Sequence, residues 1–95
     1  MVGASPVFVD VEEKTFNIDL GSLERAIAET KRGDLKPKAI IPVDLFGQPA
    51  DLDGIAAIAK REGIFVISDA AQSFGATYKG KRVGTQALLT TTSFF

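Results

Sequence analysis

The sequence contains no cysteine and no histidine among its 95 residues. Without cysteine, the chain forms no disulfide bonds and has no thiolate chemistry, and without either residue it has no zinc site of the Cys/His type. The lack of an imidazole also removes histidine as a general base. These absences exclude thiol enzymes, Cys/His zinc modules and histidine-based catalysis from the functions of this chain.

A basic stripe and a long apolar run are missing as well. Eleven basic side chains face twelve acidic ones in a mixed distribution, for a net charge of -1, so the electrostatic footprint of a nucleic-acid binder is absent. No apolar run is long enough to span a bilayer, and the first five residues lack the features of a signal peptide. We therefore expect no nucleic-acid partner and no membrane partner, and a cytoplasmic location is the default.

The composition is that of an ordinary globular protein, with 45% hydrophobic and 24% charged residues. A length of 95 residues is sufficient for one small domain. Four apolar, β-branched runs predict strands, at 6–11, 38–44, 64–68 and 88–95. Two amphipathic stretches predict helices between them. The first begins at the N-cap Asp19 and ends near Gly33, and the second begins at Asp51 or Asp53 and ends at Gly63.

This order of elements is typical of an α/β fold with a mostly parallel sheet of about four strands and two crossover helices. Residues 76–83 predict a small hairpin that turns at Lys79-Gly80. Because such a sheet needs helices on both faces, and two helices hardly cover four strands, we expect an incomplete fold.

The candidate site lies where strands end, because open α/β sheets bind ligands beyond the carboxyl ends of their strands. Asp69 ends an apolar strand, so its charge is partly desolvated and favours a cationic partner. The residues alone support a turn carboxylate equally well. By the same reasoning Gln72 is a surface polar residue, Ser93 an ordinary strand serine and Asp44 a strand-end charge, to which we assign no role.

Four stretches change that balance, and they occur in a fixed order: VDLFGQPADLD at 43–53, FVISDAAQSFGA at 65–76, YKGK at 78–81 and TSFF at 92–95. Together they resemble the DegT/DnrJ/EryC1/StrS family of sugar aminotransferases, which have the aspartate aminotransferase type of fold (fold type I). The resemblance implies that residues 1–95 are part of the large domain of such an enzyme, incomplete at both ends.

The resemblance also implies roles in binding pyridoxal 5'-phosphate. Asp69 would pair with the pyridine nitrogen and keep it protonated, so that the ring can accept electron density. Gln72 would lie near the ring hydroxyl, and the small Ala71 would let the ring approach the backbone. Ser93 would contribute its hydroxyl to the cofactor phosphate.

The implied activity is transfer of an amino group, with glutamate as the expected donor, to a nucleotide-linked keto-sugar in polysaccharide biosynthesis, by an enzyme that is a homodimer when complete. In the family, the lysine that forms the Schiff base follows the Ser-Phe-Phe motif within a few residues, whereas this chain ends at Phe95. We therefore assign no catalytic residue and expect the chain as given to be inactive.

Two other interpretations remain open. One is a receiver-like phosphoacceptor domain with Asp69 as the acceptor, a fold that needs an acidic pair at the end of its first strand to hold magnesium. Asp10 is followed by Val11 before Glu12, which matches that requirement poorly. The other is a non-catalytic α/β scaffold.

Overall fold

The computed structural model describes residues 2–94 and contains two helices and five short strands. The helices are α1 (Leu20–Arg32) and α2 (Leu52–Glu62). The strands are β1 (Ala39–Ile40), β2 (Phe65–Asp69), β3 (Thr77–Tyr78), β4 (Lys81–Arg82) and β5 (Leu89–Thr91). A single 3₁₀ turn, Leu45–Gly47, follows β1.

The sheet is parallel, with β2 between β1 and β5. Ala39 and Ile40 pair with Phe65 and Val66, and Ile67, Ser68 and Asp69 pair with Leu89, Thr90 and Thr91. A parallel bridge between Val43 and Asp69 adds one further pair at the carboxyl end of β2. The predicted α/β fold with a mostly parallel sheet is therefore confirmed.

The predicted strand at 6–11 is wrong. Within the described residues this segment has no ladder, and its end makes only an isolated antiparallel bridge between Val11 and Ile18. The side chain of Phe8 is 92% exposed. A β-branched run forms a strand only where a neighbour accepts its backbone hydrogen bonds and packs its side chains, and no neighbouring strand lies beside residues 6–10 in the described chain.

The local signals for helices and turns are confirmed. Asp19 caps α1 by accepting a hydrogen bond of 2.7 Å from Ser22 N–H, and Asp51 caps α2 by accepting one of 3.1 Å from Gly54 N–H. Gly63 ends α2 in the left-handed conformation. The hairpin of β3 and β4 turns at Lys79-Gly80, where both residues have positive φ, as two-residue hairpin loops require.

The core lies between the two helices and one face of the sheet. Its buried members are Leu23, Ile27, Ile40, Ala50, Leu52, Ile55, Ile58, Ala59 and Ile64. The other face is uncovered, since Phe65 and Leu89 are 62% and 56% exposed. Side chains alternate along a strand, so Asp69 shares the uncovered face with Phe65. None of the helices among the described residues is long and apolar enough to cross a membrane.

Candidate functional site

Asp69 occupies the carboxyl end of β2, where both its backbone and its side chain are held. Its N–H donates to Pro42 O at 2.9 Å, and its carbonyl accepts from Asp44 N–H at 3.0 Å. The residue is partly buried, and its Oδ1 accepts a hydrogen bond of 3.0 Å from Ala71 N–H. This Asx-type turn fixes the direction of the carboxylate, as the turn interpretation of Asp69 requires.

No cation neutralises Asp69 in the part of the chain that the structure describes. The ion pairs among residues 2–94 join Lys31 and Arg61 to glutamates and Lys79 to Asp53. Asp69 is thus a partly buried carboxylate on an uncovered sheet face without a basic partner. A protonated nitrogen of a ligand is the kind of group that such a carboxylate stabilises.

The turn that follows Asp69 is anchored to the sheet. Ala70 is 2% exposed, and its N–H donates to Thr91 O of β5 at 2.8 Å. Its carbonyl accepts from Ser73 N–H at 3.1 Å. Ala71 is exposed, and its single methyl group leaves the space beside Asp69 open.

Gln72 contacts the loop after β1. Its Oε1 accepts a hydrogen bond of 2.9 Å from Phe46 N–H. Gly47 approaches so closely that a Cβ at this position would lie 3.2 Å from Gln72 O. Because the amide oxygen faces Phe46, the amide NH₂ is the end of Gln72 that offers hydrogen bonds to a ligand.

Asp44 is the residue that the sequence-based prediction missed, since it was assigned no role there. It is 0% exposed. Its Oδ1 accepts from Ala50 N–H at 2.9 Å, and its Oδ2 accepts from Ser73 Oγ–H at 2.7 Å. The only signal in the sequence was an aspartate between apolar neighbours.

Asn17 was missed as well. It is 4% exposed and supports the same loop from the other side. Its Oδ1 accepts from Leu45 N–H at 3.1 Å, and its Nδ2 donates to Gln48 O at 3.0 Å. The loop between β1 and α2 is therefore held at several points by buried polar side chains.

Ser93 lies two residues beyond Thr91, which pairs with Asp69. It is exposed. The ring of its neighbour Phe94 packs edge-to-face on Phe74, with centroids 5.3 Å apart. The segment that carries Ser93 thus contacts the segment that follows Gln72, and the two motifs recognised in the sequence are neighbours in the fold.

The sequence profile of the DegT/DnrJ/EryC1/StrS aminotransferase family matches residues 1–95. The chain belongs to this family. The predicted family is therefore confirmed.

Individual relatives and a solved structure match nearly the whole of this chain. A pleiotropic regulatory protein of Geobacillus stearothermophilus is 56% identical over 98% of this chain and 23% of its own length. UDP-2-acetamido-2-deoxy-3-oxo-D-glucuronate aminotransferase of Pseudomonas aeruginosa is 53% identical over 100% of this chain and 25% of its own length. The crystal structure of a family aminotransferase from Brucella abortus superposes with a TM-score of 0.95 at 53% identity, over 99% of this chain and 26% of the other. This chain therefore spans about a quarter of the length of these relatives.

Proposed function

We propose that the complete protein carrying these residues is a pyridoxal-phosphate-dependent aminotransferase, in which residues 1–95 form part of the large domain. Asp69, Ala71, Gln72 and Ser93 bind the cofactor in this proposal. Family membership supports the reaction class. The observation that carries the cofactor assignment is that Asp69, a partly buried residue at the end of β2, has no basic partner among residues 2–94.

The donor set at this edge of the sheet fits the cofactor. When bound, pyridoxal phosphate supplies a ring that accepts electron density from the substrate carbon. The Asp69 carboxylate holds a proton on the ring nitrogen, because the negative charge raises the cost of losing it. The NH₂ of Gln72 would donate to the ring hydroxyl, and Ser93 would donate to the phosphate. Ala71 leaves room for the ring.

The proposed substrate is a nucleotide-linked keto-sugar, and the proposed amino donor is glutamate. The Pseudomonas aeruginosa relative is named for amination of a UDP-linked 3-oxo sugar, which supports this substrate class. We propose further that the catalytic lysine lies outside these 95 residues, and that the complete enzyme is a cytoplasmic homodimer. The uncovered apolar face of the sheet, which includes Phe65 and Leu89, is consistent with further structure packing there.

Binding of pyridoxamine 5'-phosphate to the complete protein tests the cofactor assignment, since this form of the cofactor needs no lysine linkage. Asp69→Asn keeps the acceptor for Ala71 N–H and removes the charge. A hydrogen bond to a charged group contributes about 1.5–3 kcal/mol, so we expect affinity to fall at least about tenfold by titration calorimetry.

Asp34→Asn is the matched control, because Asp34 is an exposed residue in the turn after α1. It removes the same charge far from the site, and we expect its affinity to equal that of the wild type. Equal binding by wild-type and Asp69→Asn proteins contradicts the proposal.

A further inference from the structure

Asp44 joins two segments that are far apart in the sequence. Its carboxylate accepts hydrogen bonds from Ala50 at the end of the loop after β1 and from Ser73 at the end of the turn after β2. We propose that Asp44 is a positioning residue of the cofactor site, acting through Ser73 on the turn that carries Asp69 and Gln72. This inference rests on the proposed function, which holds that the turn binds the cofactor.

The contacts that attach this turn to the preceding loop differ in what they depend on. Asp69 is attached by backbone hydrogen bonds to Pro42 and Asp44, which any side chain at these positions permits. Gln72 is attached by its own side chain to Phe46 N–H. Among the described residues, the side chain of Ser73 is attached to this loop through the Asp44 carboxylate.

Ser73 is well placed to control the turn. It is 1% exposed, and its N–H donates to Ala70 O at 3.1 Å, so it closes the turn from within. Asp69 is held at the start of the turn by the sheet, and Ser73 is held at its end by Asp44. With both ends held, the two side chains that face the cofactor keep one relative position.

The carboxylate of Asp44 is fully buried and satisfies two donors from different segments of the chain. A fully buried carboxylate is costly unless it is paired or well hydrogen-bonded. Asp44 forms no ion pair among the described residues, and its partners are two neutral donors. An apolar side chain at this position would leave two buried donors, the N–H of Ala50 and the hydroxyl of Ser73, without their acceptor. The specific benefit of the carboxylate is that it connects Ala50 and Ser73 in one geometry.

The test compares Asp44→Asn, Ser73→Ala and the double variant in the complete protein. Asp44→Asn keeps the shape and one acceptor oxygen, whereas Ser73→Ala removes the donor and leaves the carboxylate. The control is Ile27→Val, a buried substitution in α1. Three properties are measured: the melting temperature, the affinity for pyridoxamine 5'-phosphate, and the circular dichroism of the bound ligand.

We expect each single variant to weaken ligand binding by about tenfold, which corresponds to the contribution of one hydrogen bond. Each should also reduce the circular dichroism of the bound ligand. The double variant should lose little more than either single variant, because both substitutions disrupt the hydrogen bond from the Ser73 hydroxyl to the Asp44 carboxylate. Ile27→Val should lower the melting temperature while it leaves affinity and dichroism unchanged. Asp44→Asn and Ser73→Ala proteins that melt lower but bind with wild-type affinity and dichroism overturn the inference.

Hydrogen exchange without ligand separates this inference from the proposed function. If Asp44 positions the turn, Asp44→Asn accelerates exchange of the Ala71 and Gln72 amides more than Ile27→Val does. Unchanged exchange at these amides counts against Asp44. A different result is that Asp69→Asn binds the ligand as the wild type does while Asp44→Asn still accelerates exchange. That combination overturns the cofactor assignment but supports the positioning of the turn by Asp44.

Discussion

The backbone N–H of Phe46 donates a hydrogen bond of 2.9 Å to Oε1 of Gln72. Phe46 has a φ of 56°, a conformation that is uncommon for a residue other than glycine. Its ring packs edge-to-face on Phe16, with centroids 6.1 Å apart. The loop therefore holds an unfavourable backbone conformation that directs its N–H at Gln72 and orients the amide.

This orientation predicts different effects for two substitutions of Gln72. Gln72→Glu keeps an oxygen for Phe46 N–H but replaces the NH₂ by a second, negatively charged oxygen. We expect affinity for pyridoxamine 5'-phosphate to fall at least about tenfold, because the proposed hydrogen bond from the NH₂ to the ring hydroxyl oxygen is lost and a negative charge faces that oxygen. The melting temperature should change little, whereas Gln72→Met should lower both. Wild-type affinity in Gln72→Glu contradicts the assignment of the NH₂ to the ligand.

Two glycines with positive φ predict a graded loss of stability. Gly63→Ala places a methyl group where nothing lies within 4 Å, so its cost is that of the left-handed backbone, about 1–2 kcal/mol. Gly47→Ala has the same backbone cost and also brings a Cβ within 3.2 Å of Gln72 O. Urea unfolding should show the larger loss for Gly47→Ala. An equal loss of unfolding free energy in the two variants contradicts the prediction. It would mean that the close approach of the loop to Gln72 adds no cost.

Ile55 predicts the cost of opening the core. It is 0% exposed beneath the sheet, so Ile55→Ala leaves a cavity and should reduce the free energy of unfolding by about 2–5 kcal/mol. Ile55→Val should cost about 0.5–1.5 kcal/mol. Leu35→Ala is the control, because Leu35 is 48% exposed, and it should lie within about 0.5 kcal/mol of the wild type. These values are measured by urea denaturation.

The ion pair between the helices predicts a pH dependence. Hydrogen bonds from Lys31 and then Arg61 hold the pKa of Glu62 below its ordinary value. A lowered folded-state pKa gives stability that is fully present above the unfolded pKa and is lost as the pH falls through the folded one. Glu62→Gln should therefore melt below the wild type near neutral pH, and the difference should close in acid.

Salt should reduce that difference as well, because it screens exposed charges. Glu29→Gln, which changes an exposed glutamate of α1, is the control and should show no such gap. A gap between wild type and Glu62→Gln that stays constant from neutral to acidic pH contradicts the pairing.

The sequence was sufficient for features that depend on residues within one turn of each other. The predicted helix limits are found at Asp19, which begins α1, and at Asp51 and Gly63, which begin and end α2. The hairpin turns at Lys79-Gly80. The motif at 69–72 and its spacing from Ser93 identified the family, which the profile over residues 1–95 confirms. The roles of the individual site residues stay predictions.

Contacts between distant segments were decided by the tertiary structure. The strand at 6–11 failed because strand formation depends on a partner as well as on propensity. Asp44 accepts from Ser73 across 29 positions, and Asn17 holds Leu45 and Gln48 across 28 and 31. The contact between Asp44 and Ser73 exists only after β1 and β2 pair in register, since the register sets which side chains meet at the sheet edge. Local pattern and the family motifs thus located the turn at 69–72, while the packing of the sheet against its helices determined how Asp44 holds that turn and how Asn17 holds the loop beside it.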